Sequence, residues 1–180
     1  GNTVATIDIS TINYGGLVAG DDVVISTSGN FSDRNVANGI TVSISSSYSG
    51  ADVSNYSITN HADVIANITA RSLTVSGVKA SNKTYDSTVT ATMDSSSAVY
   101  NGFVNGDDFA ASYSGVFANA NAGTGKTVTI TSSYSGADVS NYNITDQTST
   151  TANISAKSLT ATVSASNKVY DSLSAATSTL

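Results

Sequence analysis

Acidic residues come in pairs in this chain, Asp21 with Asp22 and Asp107 with Asp108, and each pair follows a glycine. Carboxylates beside backbone carbonyls are the donors a Ca²⁺ site collects, about six to eight oxygens in all. Adjacent side chains in a strand or turn point in different directions, however, and nothing nearby has the spacing of a known calcium loop, so a solvated turn is the simpler reading. Lys83 in NKTYD and Lys168 in NKVYD have the residue types for a Lys to Asn or Asp isopeptide crosslink, a reaction that needs a buried acid beside the pair. Asp138 with Asn141 has the polarity of a small ligand site. His61 is the single histidine and aligns with Gln147, so a general base or metal ligand would exist in one of two otherwise similar segments; an exposed loop residue is the plainer reading. Gly123, Thr124, Gly125, Lys126 and Thr127 lack the spacing of a phosphate loop and precede a strand pattern instead of a helix. Without a cysteine nucleophile or a G-x-S-x-G elbow, the expectation is a non-enzyme, with no catalytic, cofactor-binding or metal-ligating residue and no cofactor.

These residues are placed by an internal repeat. SSYSGADVSNYSIT from Ser46 returns as SSYSGADVSNYNIT from Ser132, an offset of 86. The same offset carries Gly20, Asp21 and Asp22 onto Gly106, Asp107 and Asp108, Phe31 onto Phe117, Gly39 onto Gly125, and the triplet Ala66, Asn67, Ile68 onto Ala152, Asn153, Ile154. About half the positions of 1–72 recur in 87–158 without a gap. A third copy opens near the end, where SLTVSGVKASNKTYDS at 72–87 reappears one residue shorter as SLTATVSASNKVYDS at 158–172. The chain therefore reads as two bodies, 1–72 and 87–158, and two leading segments, 73–86 and 159–171.

Composition bounds what such a repeat can be. The 13 acidic residues are all Asp, and with 7 Lys and Arg the formal charge is −6, which repels phosphate backbones and argues against nucleic acid. Cysteine is absent, so each unit must hold together through its apolar core and backbone ladder. No apolar run approaches the roughly 20 residues of a membrane-spanning helix. Ser, Thr, Asn, Val and Gly dominate while good helix formers are sparse, which favours strands. Six N-x-S/T triplets, at Asn30, Asn55, Asn67, Asn82, Asn143 and Asn153, arise from that composition.

In the second unit, strands are expected over 73–79, 88–93, 109–113, 126–131, 142–145 and 150–155, separated by Gly, Asn, Asp and Ser clusters. Asp138-Val-Ser-Asn-Tyr142-Asn-Ile144, repeated at Asp52–Ile58, has the layout of an immunoglobulin corner. It predicts an Asp that caps the turn amides, a Tyr hydroxyl bonded to the corner backbone, and Ile58 and Ile144 in the core. The fold class expected is all-β, as tandem immunoglobulin-like β-sandwich repeats of about 86 residues forming an elongated rod: 1–72 a first repeat lacking its leading strand, 73–158 a complete second repeat, and 159–180 the leading strands of a third or a donor strand.

SLTVSGVKASNKTYDS, then GDD, GVFANANAGTGKTVTIT, SGADVSNYNIT and TTANISAKSLT together resemble the YDG repeat and its MBG-type relatives, found in large bacterial surface adhesins and filamentous haemagglutinin-like exoproteins. Ser87 and Ser172 stand where that family usually has Gly, which suggests a turn that does not require positive φ. The resemblance implies a secreted stalk or adhesive repeat at the cell surface of a Gram-negative bacterium, with no catalytic residues to carry over. The partners expected are neighbouring repeats, with the sequence a window cut from a longer polypeptide as the favoured reading; the competing reading is copies of the chain itself, joined head to tail by strand donation from 159–171. A binding module for a glycan, host or biofilm ligand and a calcium-rigidified spacer are the alternatives. The stretches 9–13 and 60–65 differ from 95–99 and 146–151, which leans toward a stalk.

Overall fold

The computed structural model describes residues 2–10 and 14–174. Residues 11–13 of the variable stretch 9–13, and 175–180 of the last segment, lie outside the described residues. Apart from two single-turn 3-10 helices, every regular element described is a β-strand. In chain order these are β1 (Val4–Ala5), β2 (Val24–Phe31), β3 (Ala37–Ser49), β4 (Val64–Ile68), β5 (Arg71–Ser76), β6 (Lys79–Ala80), β7 (Lys83–Thr84), β8 (Thr90–Ala91), β9 (Met93–Asp94), β10 (Val99–Asn101), β11 (Ala110–Phe117), β12 (Gly123–Ser135), β13 (Tyr142–Thr145) and β14 (Ser149–Ser155). The long central strands run several residues past their expected ends. Short β7 and β10 were not expected, because neither carries an alternating run long enough to read.

The repeat in sequence is a repeat in register. β2 and β3 pair antiparallel from Val24 opposite Ser49 to Phe31 opposite Val42, and β11 and β12 from Ala110 opposite Ser135 to Phe117 opposite Val128, the same ladder displaced by 86. Both copies break register at one place, between Ala37 and Ile40 and between Gly123 and Lys126. Gly39 and Gly125 lie in these breaks at φ 67° and 59°. Their N–H groups donate to Asn67 Oδ1 at 2.8 Å and Asn153 Oδ1 at 2.7 Å. A bulge that needs a left-handed residue and an amide acceptor explains why Gly and Asn recur together.

Four sheets result. β1-β2-β3-β4 forms one, β7-β14-β12-β11-β8 a second, β10-β5-β13 a third with β5 at its centre, and β6-β9 a short fourth. β5 is parallel to β13 and antiparallel to β10, and β7 is parallel to β14. Alternation along β12 turns Val128 and Ile130 inward. Val128 packs with Ala91, Phe117, Ala152 and Ile154. Ile130 packs with Val75 and Val78, so the leading segment 73–86 supplies part of the core of its unit. The matching residues of the first unit, Phe31, Ala66 and Ile68, are only half-buried, whereas Phe117, Ala152 and Ile154 are buried. Among the described residues no helix is long and apolar enough to cross a membrane.

Candidate functional site

The paired acids lie in turns where Asp22 and Asp108 are exposed and Asp21 and Asp107 half-buried, and each takes part in a clamp. Tyr142 donates its hydroxyl hydrogen to Asp107 Oδ2 at 2.6 Å and accepts the N–H of Val104 at 3.0 Å. Asp108 Oδ2 accepts the N–H of Ala137 at 2.9 Å, while Asp138 Oδ2 accepts the N–H of Asp108 at 2.8 Å, a reciprocal tie between the GDD turn and the corner. The first unit repeats every bond: Tyr56 to Asp21 at 2.6 Å, Val18 to Tyr56 at 3.0 Å, Asp22 to Asp52 at 2.9 Å and Ala51 to Asp22 at 3.2 Å. Gly50 and Gly136 make room for this tie. Each has φ 124°, and a Cβ there would lie 2.2 Å from the carbonyl oxygen of Asp22 or Asp108.

The corner therefore differs from the one expected. Asp52 and Asp138 make no side-chain cap to their own 3-10 turns, because their carboxylates are turned toward a segment 30 residues earlier. The Tyr hydroxyl meets backbone 38 residues away instead of at the corner. Ile144 is half-buried, but Ile58 is 38 % exposed. Burial, and then the bond to Asp107, raise the Tyr142 hydroxyl above its ordinary pKa. That same bond, aided by the charge of Arg34, holds Asp107 below its own. For Tyr56 the bond to Asp21 leads and burial contributes less, as befits a more open unit.

Asp138 and Asn141, weighed as a ligand pair, are occupied by the preceding unit. Arg34 Nη2 donates to Asp138 Oδ1 at 2.9 Å and Oδ2 at 3.1 Å, and its Nη1 lies 3.7 Å from Asp107. Val36 N–H donates to Asn141 Oδ1 at 2.9 Å, and Asn141 Nδ2 donates to Asn35 Oδ1 at 3.0 Å. Loop 32–36 thus clasps the corner of the next unit. Arg34 escaped the sequence reading because its counterpart is Ala120, so the repeat itself gives no signal there.

The second feature is a groove of about 840 Å³ in the first unit, walled by Ile7, Tyr14, Ile25, Ile44, Tyr48 and Ile58 and including His61 in its lining. In the second unit the corresponding space is filled by the leading segment. Tyr100, Tyr113, Tyr134, Ile130 and Ile144 close around Val75 and Val78 there. Tyr142–Thr145 forms β13 because β5 lies beside it. Tyr56–Thr59, the same residues but for Ser57 in place of Asn143, pairs with no strand among the described residues and forms none itself. Gln147 bonds both ways with the backbone of Val78, accepting at 2.9 Å and donating at 2.8 Å. His61 holds that position in the groove.

Lys83, read as a crosslinking amine, is a turn anchor. Its ammonium donates to Asp86 at 2.8 Å, to Thr88 O at 2.8 Å and to Thr90 O at 3.1 Å, and sits 5.5 Å from the centre of the Phe117 ring. Lys168 repeats the pattern with Asp171 at 2.7 Å and Leu173 O at 2.6 Å. Within this turn Ser87 and Ser172 adopt φ 64° and 66°, so the serine marks a tolerated left-handed residue and not its absence.

Among curated proteins and among solved structures, nothing matches this chain. The family model described as the YDG domain matches residues 1–63 and again 69–152, twice in tandem and in step with the clamps and ladders described above. The chain belongs to the YDG domain family.

Proposed function

We propose that this chain is a non-catalytic structural segment of an extracellular bacterial surface adhesin or filament, built from tandem immunoglobulin-like β-sandwich repeats of about 86 residues that extend as a rod. Units 1–72 and 73–158, with 159–180 opening a third, are its divisions, and MBG-type repeats are its expected relatives. The observation that carries this reading is where each unit is entered and left. Loop 32–36 clasps the corner after Ser135 at one end of β12, while the chain leaves β14 where Ile154 pairs Gly123 at the other. Along a strand of 13 residues these ends stand roughly 40 Å apart at about 3.3 Å per residue. Units joined in this way add length, and a tether works by length and by surviving the loss of any one bead.

The connection between units supports stiffness. Only residues 69 and 70 separate β4 from β5, too few for a flexible linker, and the Arg34 clasp adds a second point of attachment. Small-angle scattering of the 180-residue chain tests the reading. A compact body of that size has a radius of gyration of about 16 Å, and the rod predicts a value well above it with a long tail in the distance distribution. A compact profile rejects the stalk. Loss of thermal stability on adding a chelator, or selective capture on a glycan array, would favour a calcium-rigidified spacer or a binding module in its place.

A further inference from the structure

We infer that Arg34 is a salt-sensitive lock on the angle between the two units. Paired with Asp138 and Asp107, it holds the first unit in one orientation on the second. Released, it lets the first unit rock about residues 69–70 while both units stay folded. The inference deepens the stalk reading and rests on it only in treating 1–72 and 73–158 as separate bodies.

The joint is built from two short connections that lie side by side. Ala37 pairs with Ile68 at the end of β4, and Arg71 pairs with Tyr142 at the start of β13. The covalent link, residues 69 and 70, therefore leaves the first unit beside Val36 and enters the second beside Asn141. The bond from Val36 N–H to Asn141 Oδ1 at 2.9 Å closes a ring with that link. Two connections so close together define a pivot and leave rocking about it unopposed. Arg34 stands two residues further from the link, up to about 7 Å out along its loop. Asp138 lies three residues before Asn141, across one 3-10 turn. Their contact is the arm that opposes the rocking.

Among the described residues, no shared ladder and no shared core does the same work. β1–β4 form one sheet by themselves, and none of them pairs with β5–β14. The buried clusters around Val128 and Ile130 draw their members from residues 75–154 alone. The hydrogen bonds between described residues that cross from 1–68 to the second unit all involve loop 32–36. Orientation across the joint thus rests on one polar loop, and its outermost contact is an ion pair.

The parts suit an ionic switch. Asp33 Oδ1 accepts the N–H of Asn35 at 3.0 Å and its Nδ2 at 2.9 Å, a turn that presents Arg34 to the corner. The guanidinium fork spans both oxygens of Asp138 and approaches Asp107, a geometry that the point charge of a lysine does not match. Its side chain is 43 % exposed, against 4 % for Asp138 and 6 % for Asp107, so dissolved ions reach the arginine and compete for it. Asp138 does not depend on Arg34 for its place. Its carboxylate also accepts the N–H of Asp108 and the Nδ2 of Asn141, both within the second unit. Opening the lock therefore parts the units and leaves the corner intact. The second unit also shows that the loop keeps its shape without arginine, since Asn119 Oδ1 accepts the N–H of Asn121 at 3.1 Å around Ala120, the counterpart of Arg34.

The absence of native cysteine makes a direct test possible. The full chain takes spin labels at Ser45→Cys and Thr131→Cys, exposed and equivalent positions on β3 and β12, and pulsed dipolar spectroscopy reads the spread of distances between them. At low salt the labelled chain should give one narrow distribution, and the same chain with Arg34→Ala a distribution at least twice as wide. Raising salt from about 0.01 M to about 1 M shortens the Debye length from about 30 to about 3 Å. That change should widen the distribution when Arg34 is present and leave the Arg34→Ala distribution as it was. Tyrosines stand in both units, so an unchanged near-ultraviolet spectrum is expected throughout and shows that the units rock without unfolding. Equal widths at low salt overturn the inference, as does salt that widens both chains alike, or widening that comes with a changed spectrum. Elongated scattering with widths indifferent to Arg34 removes the lock and leaves the stalk; compact scattering with a width that follows Arg34 does the reverse.

Discussion

The guanidinium of Arg34 reaches across from one unit to grip Asp138, 104 residues further on, at 2.9 and 3.1 Å. Asp138 is 3 % exposed while the Arg34 side chain is 43 % exposed, so the pair is half in water. Removing the exposed partner should cost little, about 1 kcal/mol for Arg34→Ala, and the cost should shrink as salt rises. Removing the buried partner leaves the N–H of Asp108 and the guanidinium unsatisfied. Asp138→Ala should therefore cost about 2–4 kcal/mol. Urea unfolding at two salt concentrations separates the two cases, and equal penalties would contradict the assignment of burial.

Tyr142 and Tyr56 make the same two hydrogen bonds in surroundings of different openness. Tyr142→Phe strands the Val104 N–H and frees a carboxylate against an aromatic cluster, where Phe103 stacks on Tyr142 at 6.1 Å and Phe109 lies edge-on at 6.0 Å. The expected loss is about 1.5–3 kcal/mol. Tyr56→Phe should cost less than half as much, since water can replace the lost partners in the open unit. Thermal melts of the two single variants measure the difference.

Ser87 holds φ 64° in the turn after Asp86. A left-handed non-glycine residue is strained by roughly 1–2 kcal/mol, and glycine relieves that strain while adding about 0.5–1 kcal/mol of unfolded-state entropy. Ser87→Gly should be stabilising by about 0.5 kcal/mol, measured as a raised urea midpoint at unchanged slope. A clear drop in that midpoint would falsify the claim that the turn stores strain.

Acid should loosen the turn at the end of the leading segment. The hydrogen bond from Lys83, with those from the amide and hydroxyl of Thr88, lowers Asp86 from 3.8 to about 2. A carboxyl depressed in the folded state stabilises it above the unfolded value near 3.8, and that contribution is lost as pH falls through about 2. Asp107, lowered chiefly by the Tyr142 hydroxyl, acts in the same direction. Stability followed by urea from pH 6 down to about pH 2 should decline below about pH 4, and Asp86→Asn should flatten the decline.

Much of this was legible in the residues themselves. Identity at an offset of 86 required identical ladders, and the pairs Gly39 with Asn67 and Gly125 with Asn153 recur because a bulge needs both. The hydroxyl of Tyr142 was expected to bond the corner backbone, and it meets the N–H of Val104 instead. Its partners were not legible, because Asp107 and Val104 lie more than thirty residues away and no local pattern points to them.

What the sequence by itself determined is the set of local rules: where strands can form, where the chain must turn left-handed, and which turn, Lys83–Asp86 or Lys168–Asp171, closes with or without a body around it. Only the tertiary structure decided what those segments become. Tyr142–Thr145 is a strand and Tyr56–Thr59 is not; Leu73 is sealed in a core and Leu159 stands in water. The residue types are nearly the same in each pair. A strand needs a neighbour for its backbone and a core needs a second wall, and neither is a property of the segment that uses it.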